Sequence, residues 1–106
     1  MGKDIKALTQ DMNEFVSSKG WYLPDSNRPQ TPRNIAISLV LEANEVLEHF
    51  QWGENNYEKQ NLEDEVADVA LYLFQLCHIS GINLENAIQE KLKRNYERQW
   101  DQNTVK

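Results

Sequence analysis

Four carboxylates in this chain have types and spacings that could hold a metal ion. Glu42 and Glu45 are three residues apart, and after nineteen intervening residues Glu65 and Asp68 repeat the spacing. On a helix, residues three apart lie about 60° apart around the axis, so each pair projects from one face. Both pairs sit in otherwise apolar sequence. Glu42 follows Leu39-Val40-Leu41, and Val66, Ala67, Val69 and Ala70 surround Asp68. Acidic pairs of this kind are common on solvated helix faces. Two of them, each embedded in apolar sequence, point instead to a site between two antiparallel helices.

Converging carboxylates repel unless a positive charge sits between them. A hard divalent cation suits four oxygen donors, and Mg²⁺ keeps coordination positions open for water and substrate phosphates. A di-iron bundle would need Glu-x-x-His on two helices, which the chain lacks. Zinc is disfavoured by one Cys and two His without ligand spacing. Four carboxylates and one Mg²⁺ leave a charge of about −2, which would repel a triphosphate. The expectation is therefore two or more Mg²⁺ per site, or basic residues such as Arg33, Lys91 and Arg98 nearby.

Other residues carry weaker signals. His49 falls between Glu42 and Glu45 in helical phase, and Glu48 follows Glu45 by three. Tyr72 stands one turn past Asp68. Lys91, Asn95 and Arg98 share a face, either solvated or suited to phosphate. Trp21 and Trp52 could stack on a base or belong to a core.

The elements that must position these residues read as four helices, an all-α fold. Ile5, Leu8, Met12 and Phe15 mark the first, which Gly20 ends. A polar loop from Trp21 to about Gln30 follows, long enough to suggest function. Thr31-Pro32 reads as an N-cap and first helical residue, opening a helix to about Gln51. Asn61 is expected to cap the third helix, with Glu63, Asp64 and Glu65 in its first turn. From Val66 to Ile79 that helix is apolar nearly all round, which predicts burial on several sides and an intersubunit role. Gly81 closes it, Asn83 caps the last helix, and Ile88, Leu92 and Tyr96 form the last helix's core face. The tail after Trp100 is polar and expected to fray. Short connections imply a four-helix bundle with intersubunit helix packing.

The chain has 106 residues, the length of a single domain spanning 1–106. Its net charge of −6, from 17 acidic and 11 basic residues, disfavours a nucleic-acid polymer as partner. No apolar stretch approaches the ~20 residues of a membrane span. The start lacks a signal-peptide pattern and Cys77 stands alone, so the expected compartment is cytoplasmic.

The arrangement Glu42-x-x-Glu45, then Glu65-x-x-Asp68, resembles the all-α nucleotide pyrophosphohydrolases of the MazG-like superfamily. Thr31-Pro32-Arg33-Asn34, Phe50-Gln51-Trp52, Asp64 through Asp68, and Lys91 with Asn95 extend the likeness over about residues 30–100. The dCTP pyrophosphatase-like branch is the nearest in pattern, because Leu41 stands where many other members carry Glu. Members of that branch often place a His two residues before the Pro, where this chain has Gln30. The resemblance implies a helical bundle assembled as a homodimer or homotetramer. It implies Mg²⁺-dependent hydrolysis of a nucleoside triphosphate, such as dCTP, to monophosphate and pyrophosphate, with Mn²⁺ able to substitute. It assigns Glu42, Glu45, Glu65 and Asp68 to the metal. It sets Trp52 beside the base and Lys91, Asn95 and Arg98 on the substrate. Glu45, midway along the acidic stripe, is the expected general base. The alternative is a non-catalytic helical module that binds nucleotide or protein.

Overall fold

The computed structural model describes residues 2–98. Four helices account for most of that span: α1 (Ile5–Ser18), α2 (Pro32–Glu48), α3 (Lys59–Ile79) and α4 (Leu84–Glu97). No strand occurs among the described residues, and the all-α expectation holds. The expected tail after Trp100 lies outside the described residues.

Side-chain caps set three of the four starts. Asp4 accepts from the Ala7 amide, Thr31 from the Asn34 amide at 3.1 Å, and Asn83 from the Asn86 amide at 3.0 Å. Each such cap contributes about 1 kcal/mol by satisfying an amide that the helix cannot. Pro32 opens α2 at the position where no amide is needed. Two helices end alike. Beyond α1, the Trp21 and Gly20 amides donate back to the Val16 and Ser17 carbonyls. Beyond α3, the Ile82 and Gly81 amides donate to Cys77 and His78. Both are Schellman ends, and Gly20 (φ 74°) and Gly81 (φ 69°) take the left-handed backbone that this motif requires.

Two boundaries differ from expectation. α3 starts at Lys59 after Glu58, not at Asn61, whose side chain donates to Glu58 Oε2 at 3.4 Å. Lys59 and Gln60 are good helix formers and extend the helix backward. Glu63, Asp64 and Glu65 thus lie beyond the first turn, where the dipole acts only weakly. α2 stops at Glu48 rather than Gln51. The amides of His49, Phe50 and Gln51 donate three residues back, tightening the chain into turns.

Packing runs through α3, which receives α2 along its length and α1 at its side. Met12, Val16, Ile35 and Cys77 form the buried apolar core. That core is small. Val66, Leu71 and Leu73 on α3 are 37–51% exposed, so the apolar girth of α3 is only partly covered. The face of α4 expected to be core is uncovered as well: Ile88, Leu92 and Tyr96 are 42%, 51% and 88% exposed. No other helix lies extensively against α4 among the described residues. A radius of gyration of 17.2 Å, against about 13 Å for a compact domain of this length, reflects the same open arrangement.

Candidate functional site

α2 and α3 run antiparallel, and each turns a helical stripe toward the other. On α2 the stripe is Asn34, Ser38, Glu42 and Glu45, spaced by three or four. On α3 it is Glu65, Asp68, Tyr72 and Gln75, with the same spacing and the opposite direction. One helical repeat therefore produces two regions: acidic where Glu42 and Glu45 meet Glu65, and mixed polar and aromatic where Asn34, Ser38, Tyr72 and Gln75 line one cleft.

In the acidic region, carboxylate oxygens of Glu42, Glu45 and Glu65 lie within 4.8 Å of one another. Glu42 and Glu65 are half-buried and Glu45 is exposed. Asp68 stands outside this tight trio, yet its charge reaches Glu42. The Glu42 carboxyl is pushed up to about 7. The first cause is a hydrogen bond with Glu45, followed by burial, a second bond with Glu65, and the charges of Glu45 and Asp68. Two ionised carboxylates cannot hydrogen-bond, so these bonds require a retained proton. With the group ionised, the buried Oε2 of Glu42 has no donor partner among the described residues. A half-buried anion without a donor, flanked by two more carboxylates, fits an oxygen-ligated divalent cation.

The second region opens into a cleft of about 580 Å³, within the range of small-molecule sites. Asp68 and Tyr72 line it, so the cleft begins where the carboxylates end. Its far wall comes from α1 and the loop after it. There Phe15 meets Trp21 edge to face at 5.8 Å, and the Arg28 guanidinium lies 5.4 Å from the Trp21 ring. The loop is tied inward by hydrogen bonds. The Tyr22 hydroxyl donates to Asn13 Oδ1 at 2.6 Å, and Gln75 Nε2 donates to Gln30 Oε1 at 2.6 Å.

Of the expected site residues, Glu42, Glu45 and Glu65 come together, and Asp68 and Tyr72 join them to the cleft. Trp52 stands in the turn after α2, 80% exposed and off the cleft lining. Arg33 is exposed at the start of α2, also off the lining. Lys91, Asn95 and Arg98 lie on or just after α4, away from the cleft within one protomer. Glu48 bonds with Asn44 at 3.2 Å and His49 ends the helix, so neither belongs to the trio. Spacing alone missed Phe15, Arg28, Ser38 and Gln75. For Gln75 a signal was present: an amide inside the apolar run Leu71–Cys77 is a buried polar group in need of partners.

The chain as a whole resembles known proteins. The MazG-like family model matches residues 37–105. The chain is 30% identical to dCTP pyrophosphatase 1 of Homo sapiens and 29% identical to that of Mus musculus. Each match covers 91% of this chain and 57% of the relative, so the chain spans a little over half the length of the curated relatives it matches. Among solved structures, a pyrophosphatase from Archaeoglobus fulgidus superposes with a TM-score of 0.76 at 31% identity. That superposition covers 92% of this chain and 93% of the other.

Proposed function

Because the chain belongs to the MazG-like family, we propose that it is a Mg²⁺-dependent nucleoside triphosphate pyrophosphohydrolase. Its substrate would be a pyrimidine (deoxy)nucleotide such as dCTP, cleaved to the monophosphate and pyrophosphate. The observation that carries this reading is the continuity of the carboxylate trio with an aromatic-walled cleft. A triphosphate laid along that line puts its phosphates at the acidic end and its base among Phe15, Trp21 and Tyr72. The names of the relatives, dCTP pyrophosphatase 1 and a pyrophosphatase, agree with that chemistry.

Glu42, Glu45, Glu65 and Asp68 would hold the cation. Bound there, Mg²⁺ would neutralise the phosphates and acidify a water molecule. The chain's own groups do the rest. Glu45, the exposed member of the trio, accepts the proton of the water that attacks the α-phosphorus. Glu42 and Glu65, half-buried, are held more firmly and fix the oxygens that face it. Rings at the far end orient the nucleotide by stacking. Arg28 is the basic residue lining the cleft, and Arg33, Lys91 and Arg98 do not line it. Four carboxylates and one Mg²⁺ would leave about −2 facing a triphosphate, so we infer two or more Mg²⁺ per site with substrate bound, with Mn²⁺ able to substitute.

The uncovered apolar faces of α3 and α4 support a homodimer or homotetramer, because patches of this extent are buried in stable assemblies. Assembly would give Trp52, Lys91, Asn95 and Arg98 a route to a neighbouring site. No helix among the described residues is long and apolar enough to cross a membrane. We place the reaction in the cytoplasm, in control of the nucleotide pool.

The deciding assay is pyrophosphate release from a panel of ribo- and deoxynucleoside triphosphates, with Mg²⁺ and with EDTA. Metal-dependent release with a monophosphate product is the expected result. No release from any member by folded protein with Mg²⁺ present would shift the reading to a non-catalytic binding module.

A further inference from the structure

Gln75 is a polar residue with 3% of its surface exposed, and it lines the cleft. Its amide nitrogen has two hydrogens and two acceptors, Gln30 Oε1 at 2.6 Å and the Tyr22 hydroxyl oxygen at 3.4 Å. Each acceptor is held in that role by a further bond. Gln30 Nε2 donates to the Arg28 carbonyl at 2.5 Å, and the Tyr22 hydroxyl donates to Asn13 Oδ1 at 2.6 Å. The Arg28 carbonyl is backbone and can only accept, so it fixes which end of Gln30 faces Gln75. That in turn fixes which end of Gln75 faces Gln30. Both amide hydrogens of Gln75 are thus committed, and Oε1 is the polar atom left to meet whatever enters the cleft.

We propose that Gln75 is a specificity-determining residue: a hydrogen-bond acceptor, locked in orientation by Gln30 and Tyr22, that favours a base carrying an exocyclic amino group over a keto base of the same size. The proposal rests on the reading that this cleft takes the base of a nucleotide. A cytosine-type amino group donates to Oε1. A uracil-type carbonyl in the same position sets two acceptors against each other and leaves both without a donor. In a buried site that mismatch costs more than the matched bond gains, because the unpaired groups have given up water. An amide free to turn would serve either base; the chain of bonds from the Arg28 carbonyl removes that freedom.

The test compares dCTP with dUTP, which differ at the amino-or-keto position and at the adjacent N3, an acceptor in cytosine and an N–H donor in uracil. Binding is followed by calorimetry with Ca²⁺ as the cation, so that no turnover is needed. The wild-type protein is expected to bind dCTP about 10–100-fold more tightly than dUTP. Gln75→Met keeps the length and removes the acceptor; it should weaken dCTP and, by removing the opposed acceptor, leave dUTP no weaker. Gln30→Ala removes the orienting acceptor, frees the Gln75 amide to turn, and should strengthen dUTP toward dCTP. That gain is one a merely structural role for Gln30 would not produce. Equal wild-type affinity for the two nucleotides would overturn the proposal, whether or not the variants fold. So would an equal loss of both in Gln75→Met, or an unchanged ratio in Gln30→Ala. Hydrolysis is scored separately. Discrimination without pyrophosphate release would remove the enzymatic reading and keep this one, whereas release without discrimination would do the reverse.

Discussion

Glu45→Ala should lower kcat/KM for pyrophosphate release by about 10³-fold or more without lowering the melting temperature. Loss of a positioned general base alone costs about 10²–10⁴-fold. Here the same side chain also belongs to the trio that would hold the cation. The fold should tolerate the change because Glu45 is exposed and surrenders no core contact. Above about pH 7, where Glu42 is ionised, removing one of three crowded carboxylates also relieves repulsion in the metal-free protein. Each 1 kcal/mol gained would raise the melting temperature of a domain this size by about 4–8 °C. Steady-state kinetics and a thermal melt on the same preparation separate the effects. Activity within tenfold of wild type would remove Glu45 from both roles. Activity lost together with the fold would show that the residue acts structurally.

Metal-free protein should lose stability as pH rises from about 5 to 8, and Mg²⁺ should cancel or reverse that loss. The cause is Glu42, pushed up to about 7 chiefly by its bond with Glu45. In the unfolded chain the same carboxyl titrates near 4.5. Between these values the folded protein keeps a proton that the unfolded chain releases. The native state binds more protons, so its stability falls with rising pH. The contribution is complete below about 4.5 and is gone once pH has passed through about 7. A cation replaces that proton, so Mg²⁺ should bind more tightly at pH 8 than at pH 5.5 and raise the melting temperature more at the higher value. Glu42→Gln should flatten the metal-free slope and blunt the response to Mg²⁺. Melts across pH 5–8, with and without Mg²⁺, read all of this. A slope that survives Glu42→Gln would place its origin elsewhere.

Both expectations trace to carboxylates legible in the sequence. Two acidic pairs in apolar surroundings were enough to place Glu42, Glu45 and Glu65 together, because helical phase is rigid and the antiparallel partner repeats the spacing. Thr31-Pro32 and Asn83 marked helix starts correctly, since a cap acts within one turn and its signal is local. The start of α3 was misread for the converse reason. Asn61 offered a cap, but Lys59 and Gln60 carried the helix past it and Glu58 took the capping position without a side-chain bond. The cleft was the least legible part. Gln75 meets Gln30 and Tyr22 across 45 and 53 residues of chain, and no local pattern encodes such a meeting. Trp52, Arg33 and the basic face of α4 were read from side-chain type, helical spacing and likeness, and a single protomer leaves them outside the cleft.

The sparse docking of α4 has a consequence for how the molecule opens. α3 and its neighbours share a core, so breaking any part of it exposes Met12, Val16, Ile35 and Cys77 together. α4 buries little apolar surface against that core. Its helical hydrogen bonds therefore rest on local propensity and the Asn83 cap, and fourteen residues are marginal for an isolated helix. In a lone protomer the amides of α4 should exchange with solvent deuterium through a fraying that leaves α1 to α3 intact. Slow exchange would reach α4 only when something else rests on Ile88, Leu92 and Tyr96.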